Sequence, residues 1–223
     1  MVKCSSEVTL LIWQLIDSAF PSGGFTHSSG LEAAVQHGDV RNVEDVERIA
    51  RTSVIQVGHG LLPLVVAAHQ CPADLPALDA RADVFLNQPV SNRASRAQGL
   101  ALLSTATRVF PASFCPLPSA LCPSFGHHAP VFGAVMQALG VDLDTTCRLF
   151  LFQAARSPIS AAVRLGVIGM FDGQSIQAAV GDSIERTLVA CRARSLDDMA
   201  QTSPILDLYQ STQDRLYSRL FQS

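Results

Sequence analysis

Asn42-Val-Glu-Asp-Val-Glu-Arg-Ile-Ala-Arg-Thr-Ser-Val-Ile-Gln-Val57 decides the fold class. Val43, Val46, Ile49, Ala50, Val54 and Val57 recur at spacings of three and four, which places them on one face of an α-helix. Asn42 stands where an N-cap is needed. The same period extends in both directions. Upstream, Val8, Leu11, Ile12, Leu15, Ile16 and Ala19 form a stripe. Downstream, Gly58 and Gly60 break the helix and Pro63 opens a short buried one through His69. Residues 71–80 are rich in proline and alanine and read as a loop. Ser91–Phe110 is helical, with Leu100, Leu103, Thr107 and Phe110 on one face. Residues 111–124 hold four prolines and two cysteines with no period, and read as an exposed, mobile loop.

Helices resume near Pro130 and stop at Gly140. Asp142 caps the next, which runs to Arg156. Between Leu149 and Ala155 only Gln153 is polar, so burial nearly all round is expected. Pro158 ends or kinks that helix, and a second apolar helix follows. Asp172 caps another, with Ile176, Ala179, Val180, Ile184, Leu188 and Cys191 on its apolar face. Ser203-Pro204 opens the last, in which Ile205, Tyr209, Thr212, Leu216 and Leu220 keep the period. No alternating strand run is present, and Asp172-Gly173 precedes a helical pattern rather than a hairpin. The expectation is an all-α, single-domain bundle of about nine or ten helices over 1–223.

Composition narrows the function. Charged residues make up only 16% of the 223, hydrophobic residues 48%, and mean hydropathy is +0.26. Such a chain buries much of itself or exposes apolar patches, which mark protein partners. The net charge of −3 gives no electrostatic case for nucleic acid. Lys3 is the sole lysine, so neither a P-loop nor a Schiff-base enzyme fits. The six cysteines include no Cys-x-x-Cys pair, which suits reduced thiols in the cytoplasm. Leu10-Leu11-Ile12-Trp13 is interrupted by Gln14 and Asp17, unlike a signal peptide. The longest uncharged apolar run, Leu61–Ala68, is too short to span a membrane.

Zinc-protease, nucleophile-elbow and dinucleotide motifs are missing. Cys115, Cys122, His127 and His128 are the nearest approach to a metal cluster, but adjacent histidines rarely both reach one ion. His27 beside Ser28 and Ser29 only faintly suggests a hydrolase. Arg148 and Arg164 sit in apolar helices, where each must snorkel, pair with a carboxylate or reach another chain. Residues 204–223, with Arg215 and Arg219 beside an apolar stripe, form either the last core helix or an amphipathic docking arm. Pro21-Ser22-Gly23-Gly24-Phe25-Thr26-His27 is a turn either shaped for a partner or simply joining two helices. Ser29 and Glu32 after it have capping-box spacing.

Four blocks resemble one family in order. They are Pro21–Ser28 with Gly30-Leu31-Glu32, Phe125–Gly133, Ala161–Gly166, and Leu206–Gln210 with Arg215–Phe221. Together they are similar to urease accessory protein F (UreF). The resemblance implies a non-enzymatic assembly factor without a cofactor or resident metal, an all-α homodimer that binds a second accessory protein (UreD, also called UreH). The pair would recruit a nickel-carrying GTPase (UreG) and dock on apo-urease for nickel insertion. By the same resemblance Gly23, Gly24, Phe25 and His27 belong to a GTPase-recruiting face. Tyr217, Arg219 and Leu220 belong to the segment that packs on the second accessory protein, and Arg148 and Phe152 to a dimerisation helix. The Pro- and Cys-rich stretch 111–124 has no obvious family counterpart. An all-α enzyme using His27 or His127 with Asp17, and a peripheral membrane protein, are the competing readings.

Overall fold

A computed structural model describes residues 5–114 and 123–223. Among these the chain is all-α, with twelve helices, ten of them nine residues or longer. In chain order they are α1 (Ser5–Ile16), α2 (Leu31–Gln36), α3 (Val43–Gly60), α4 (Leu62–Gln70), α5 (Leu75–Phe85) and α6 (Pro89–Val109). Then follow α7 (Pro111–Phe114), α8 (His128–Ala138), α9 (Leu143–Arg164), α10 (Met170–Ala179), α11 (Gly181–Cys191) and α12 (Pro204–Thr212). No strand occurs among the described residues.

Two helices organise the rest. α9 packs against α3, α4, α10 and α11, and α8 packs against α4, α5 and α6. Small residues set the closest approaches. A Cβ on Gly133 of α8 would lie 2.3 Å from the Val65 carbonyl oxygen of α4, and one on Gly58 of α3 would lie 2.2 Å from Thr187 Cγ2 of α11. Gly58 therefore does not break its helix, as its sequence neighbourhood suggests. It lets α11 come close, and α3 runs on to Gly60.

The caps follow the expected chemistry. The Asn42 side chain accepts from Asp45 N–H and Asp142 from Thr145 N–H, both at 2.9 Å, satisfying donors that a helix start leaves free. Asp172 is not an N-cap. It sits at the third position of α10 and accepts from Gly169 N–H at 3.1 Å. The 169–191 region is two helices, α10 and α11.

Several boundaries differ from the sequence reading. Residues 75–80 are helical, because Pro76 lies in the first turn of α5, where a missing N–H costs nothing. Residues 111–114 form the turn α7 with Phe114 buried, while 115–122, the centre of the expected loop, lie outside the described residues. α9 continues through Pro158 as one helix of 22 residues. It is not buried all round: Phe152, Gln153 and Ala154 are half-buried. On α6 the buried positions are Val90, Gly99, Leu102 and Ala106, and Leu100 is exposed.

No single described helix is long and apolar enough to cross a membrane; only the pair α3 and α4, bent by 47°, passes on length and composition. Six of the nine residues of α4 are buried in the protein's own core, which leaves it no lipid-facing side.

Candidate functional site

The first and last sequence blocks meet in space. After α12 the helical period fails: a 3-10 turn spans Gln213–Arg215 and the chain is extended at Leu216. Residues 216–223 then run as a strap beside the 21–30 loop rather than as the amphipathic helix that their spacing suggests. Gln222 N–H donates to the Thr26 carbonyl at 2.9 Å and Ser28 N–H to the Ser223 carbonyl at 2.5 Å. The His27 Nδ1 and Ser223 Oγ atoms share a further hydrogen bond.

Glu32 ties the two together. It is 2% exposed, and its carboxylate accepts from Leu220 N–H at 2.6 Å, Phe221 N–H at 3.2 Å and Gln213 Nε2 at 2.6 Å. It is therefore not half of a capping box with Ser29. α2 instead starts after Gly30, and Ser29 carries a positive φ of 55° with its hydroxyl 3.1 Å from that of Ser157. Gly30, at φ 86°, must be glycine for a second reason. A Cβ there would stand 3.0 Å from the Gln210 nitrogen and 3.1 Å from Tyr209 Cβ, so α12 could not approach.

The loop's other wall is α6. Gly23, at φ 78°, faces Ala101, whose Cβ would lie 3.2 Å from a Cβ at that position, and Thr105 Oγ1 donates to the Pro21 carbonyl at 2.9 Å. Gly24 has open space where a side chain would go. Gly23, Gly24, Phe25 and His27 are thus held in one ordered turn, with Gly24–Thr26 forming a 3-10 turn.

On the strap the side chains divide. Phe221 is buried, with the Arg164 guanidinium carbon 4.3 Å from its ring centre. Tyr217 is fully exposed and Leu220 is 54% exposed. Arg219 points back to Asp214 at 3.0 Å, which also pairs with Arg93 at 2.9 Å. Arg148 and Phe152 lie away from this face on α9. Arg148 meets Glu185 of α11 through two bonds of 2.8 and 3.2 Å, and Phe152 packs partly on the core.

The middle block forms a second knot. Asp79, fully buried on α5, accepts from the N–H groups of Phe125 at 2.6 Å, Gly126 at 3.0 Å and His127 at 2.7 Å. Hydrogen bonds to a charged acceptor are worth roughly 1.5–3 kcal/mol each, so this carboxylate fixes the entry to α8. His127 Nε2 sits 3.0 Å from Asp83 Oδ1 and its Nδ1 3.2 Å from Ser95 Oγ. The hydrogen bonds from Asn92 and then His127 hold the Asp83 carboxyl below its usual range.

That acid–imidazole–hydroxyl chain has the order of a hydrolytic relay but not its surroundings. The N–H groups of residues 125–127 are spent on Asp79, and that of His128 donates to Ser95 Oγ at 3.1 Å. None of the four is free to hold an oxyanion. Nor does Asp17 serve as the partner of either histidine. Its carboxylate accepts from Ala19 N–H at 2.8 Å. His27 does not address Ser28 or Ser29 through its ring. Among the described residues no group of three or more His, Cys, Asp or Glu is placed to hold a metal; Cys115 and Cys122 lie outside them.

Between the knots lies a cavity of about 670 Å³ whose walls include His27, His128, Gln56, Ser160, Phe221 and Ser223. Each histidine comes from a different sequence block. Burial, and then the nearby Arg93 charge, lowers the pKa of His27 to about 4. Burial, and then His27, lowers that of His128 to about 4; its ring packs 5.6 Å from those of both Phe132 and Phe150. Both imidazoles are neutral at pH 7.

Asp79, Asp83 and Ser95 escaped the sequence reading. They lie thirty or more residues from the block they hold, and no spacing rule reaches that far.

Several known proteins similar to this chain agree with one another. The family model described as UreF matches residues 40–181. Urease accessory protein F of Oryza sativa subsp. indica is 38% identical over 216 residues, covering 94% of this chain and 83% of the rice protein. The chain belongs to the UreF family. The Arabidopsis thaliana urease accessory protein F is 37% identical, covering 100% of this chain and 96% of its own length. An uncharacterized urease accessory protein UreF-like of Schizosaccharomyces pombe is 32% identical, covering 98% and 99%. These UreF relatives are accessory proteins by name, and this chain is likewise an accessory protein rather than an enzyme. The family model stops short of both the 21–30 loop and the strap, whereas the plant and yeast relatives align across nearly the whole chain.

Stability follows pH through the two cavity histidines. An unfolded histidine protonates near 6.5, whereas these do so only near 4. Unfolding therefore takes up protons between those values, and stability falls as pH drops from about 6.5 to 4. His27 alone adds a slope approaching ~1.4 kcal/mol per pH unit in that window. Urea midpoints measured from pH 7 to 4.5 should fall, and less steeply for His27→Asn. An equal slope in the variant would contradict the assignment.

Proposed function

We propose that this chain acts in the cytoplasm as a homodimeric scaffold for urease maturation. It binds a UreD/UreH-type accessory protein, recruits a nickel-carrying UreG-type GTPase and helps deliver nickel to apo-urease. One observation carries the reading: the loop and the strap, at opposite ends of the sequence, form a single face, held from within by Glu32. A shared buried anchor makes one surface of two motifs that the family resemblance assigns to two partners.

The strap presents Tyr217 and Leu220 to solvent while Phe221 is anchored inside. Exposed aromatic and aliphatic side chains on a backbone fixed from behind are suited to interface hot spots. They would pack on the second accessory protein. Gly23, Gly24, Phe25 and His27 would form the GTPase-recruiting edge. There the open space at Gly24 lets a partner's backbone come close. The role needs no chemistry from this chain. Divalent ions bind by ligand type and rank rather than by biological need, so a guided hand-off between proteins protects nickel from the wrong sites.

Replacing Tyr217 and Leu220 together by Asp should reduce co-purification with the UreD/UreH-type protein at least tenfold, the scale of losing one hot spot. Thermal stability should not change, because neither side chain is buried. Undiminished co-purification would contradict the docking role.

Self-association is assigned to the α9 face bearing Arg148 and Phe152. A symmetric dimer brings each face against its own copy, so Arg148→Asp would set two new carboxylates into the contact. Sedimentation should show the variant shifting toward monomer. Glu185→Gln, which loses only the internal ion pair, should remain dimeric. If Arg148→Asp sediments like the parent protein, the interface lies elsewhere.

A further inference from the structure

We propose that the Arg93–Asp214–Arg219 triad is a carboxylate-binding site, and that an Asp or Glu side chain of the UreD/UreH-type protein enters it when the strap docks. The inference rests on the docking role proposed for the strap and adds the chemistry of the surface opposite it. Arg93 comes from α6 and Arg219 from the strap, yet both guanidiniums meet one atom. Arg93 Nη2 lies 2.9 Å and Arg219 Nη1 3.0 Å from Asp214 Oδ1. Two cations on one carboxylate leave a surplus positive charge.

The triad is open to a partner. Its three side chains are between 43 and 55% exposed, so the pairs add little to the stability of the fold. A guanidinium carries five N–H donors in a planar fork. Arg93 spends Nη2 on the two Asp214 oxygens and Arg219 spends Nη1 on one. Neither donates to another acceptor among the described residues, and the free edge of such a fork matches a second carboxylate. Neighbouring charges do not cancel the surplus. Arg96, one turn along α6, is matched by Asp83 at 4.0 Å. Arg215 adjoins Asp214 and has no ion pair among the described residues. The Arg93 charge is also felt at His27, whose pKa it helps to lower. This positive spot stands on a chain of net charge −3, so it selects an acidic partner face. Tyr217 and Leu220 are exposed on the same strap, and arginine beside an aromatic is the composition of an interface hot spot.

The test follows association of the full chain with the purified UreD/UreH-type protein by stopped flow at low and high salt. Arg93→Gln leaves a neutral Arg219–Asp214 pair, and Asp214→Asn frees both guanidiniums. At low salt the first should associate about threefold more slowly than the parent chain and the second about threefold faster. The three rates should converge at about 1 M salt, where the Debye length is about 3 Å. Opposite signs separate recognition from support, because both substitutions break the triad and a purely structural triad would make both variants bind alike. Slower association by both, or unchanged rates in both, would overturn the site while leaving the docking of the strap in place. A charge response seen with a single-stranded RNA oligomer and missing with the protein would overturn it too. If the parent chain forms no complex at any salt, the docking role fails along with the site.

Discussion

A single buried carboxylate organises the face on which the functional reading rests. Glu32 is acceptor-only when ionised and almost wholly removed from water, which is costly unless each oxygen is bonded. All three donors in contact with it come from one place, the Gln213–Phe221 stretch. The first turn of α2 and the strap therefore stabilise one another. Removing one of these donors leaves a buried acceptor short of a partner, an effect of about 1–3 kcal/mol. The exposed residues Tyr217 and Leu220 are held in register by this interior bond, not by a helix.

Asp79 does for the middle of the chain what Glu32 does for its ends. It gathers three consecutive backbone N–H groups and so fixes how the chain enters α8 and where His128 meets the cavity. Both knots are carboxylates that accept main-chain donors from a distant segment. That device suits a chain with few charges to spare. Surface ion pairs such as Arg148–Glu185 and Arg93–Asp214 add little by comparison, since exposed pairs are worth roughly 0.2–1 kcal/mol.

The helical core was legible in the sequence because period and caps are local. The Val43–Val57 stripe, Asn42 and Asp142 behave as their spacing implies, and Leu11, Leu15, Val46 and Leu188 are buried. Errors came where tertiary contact overrides local preference. Gly58 serves a crossing helix rather than a break. Pro158 is absorbed within α9. Leu216 and Leu220 keep a helical period yet lie in a non-helical strap, where Glu32 takes the Leu220 and Phe221 N–H groups that a helix would use. Of the candidate site residues, the loop and strap were recognisable as blocks, but nothing in their spacing showed that they touch. That contact depends on residues some 190 positions apart, and the apparent capping box at Ser29–Glu32 pointed to a local role for the very carboxylate that makes it.

We propose that the loop–strap face is the means by which this chain promotes urease maturation. Complementation tests that most directly. In cells lacking this gene, urease activity is measured at ordinary nickel after supplying the natural chain or a form carrying Asp at both 217 and 220. The natural chain should restore activity and the variant, expressed at the same level and equally stable, should not. Full restoration by the variant would contradict the account.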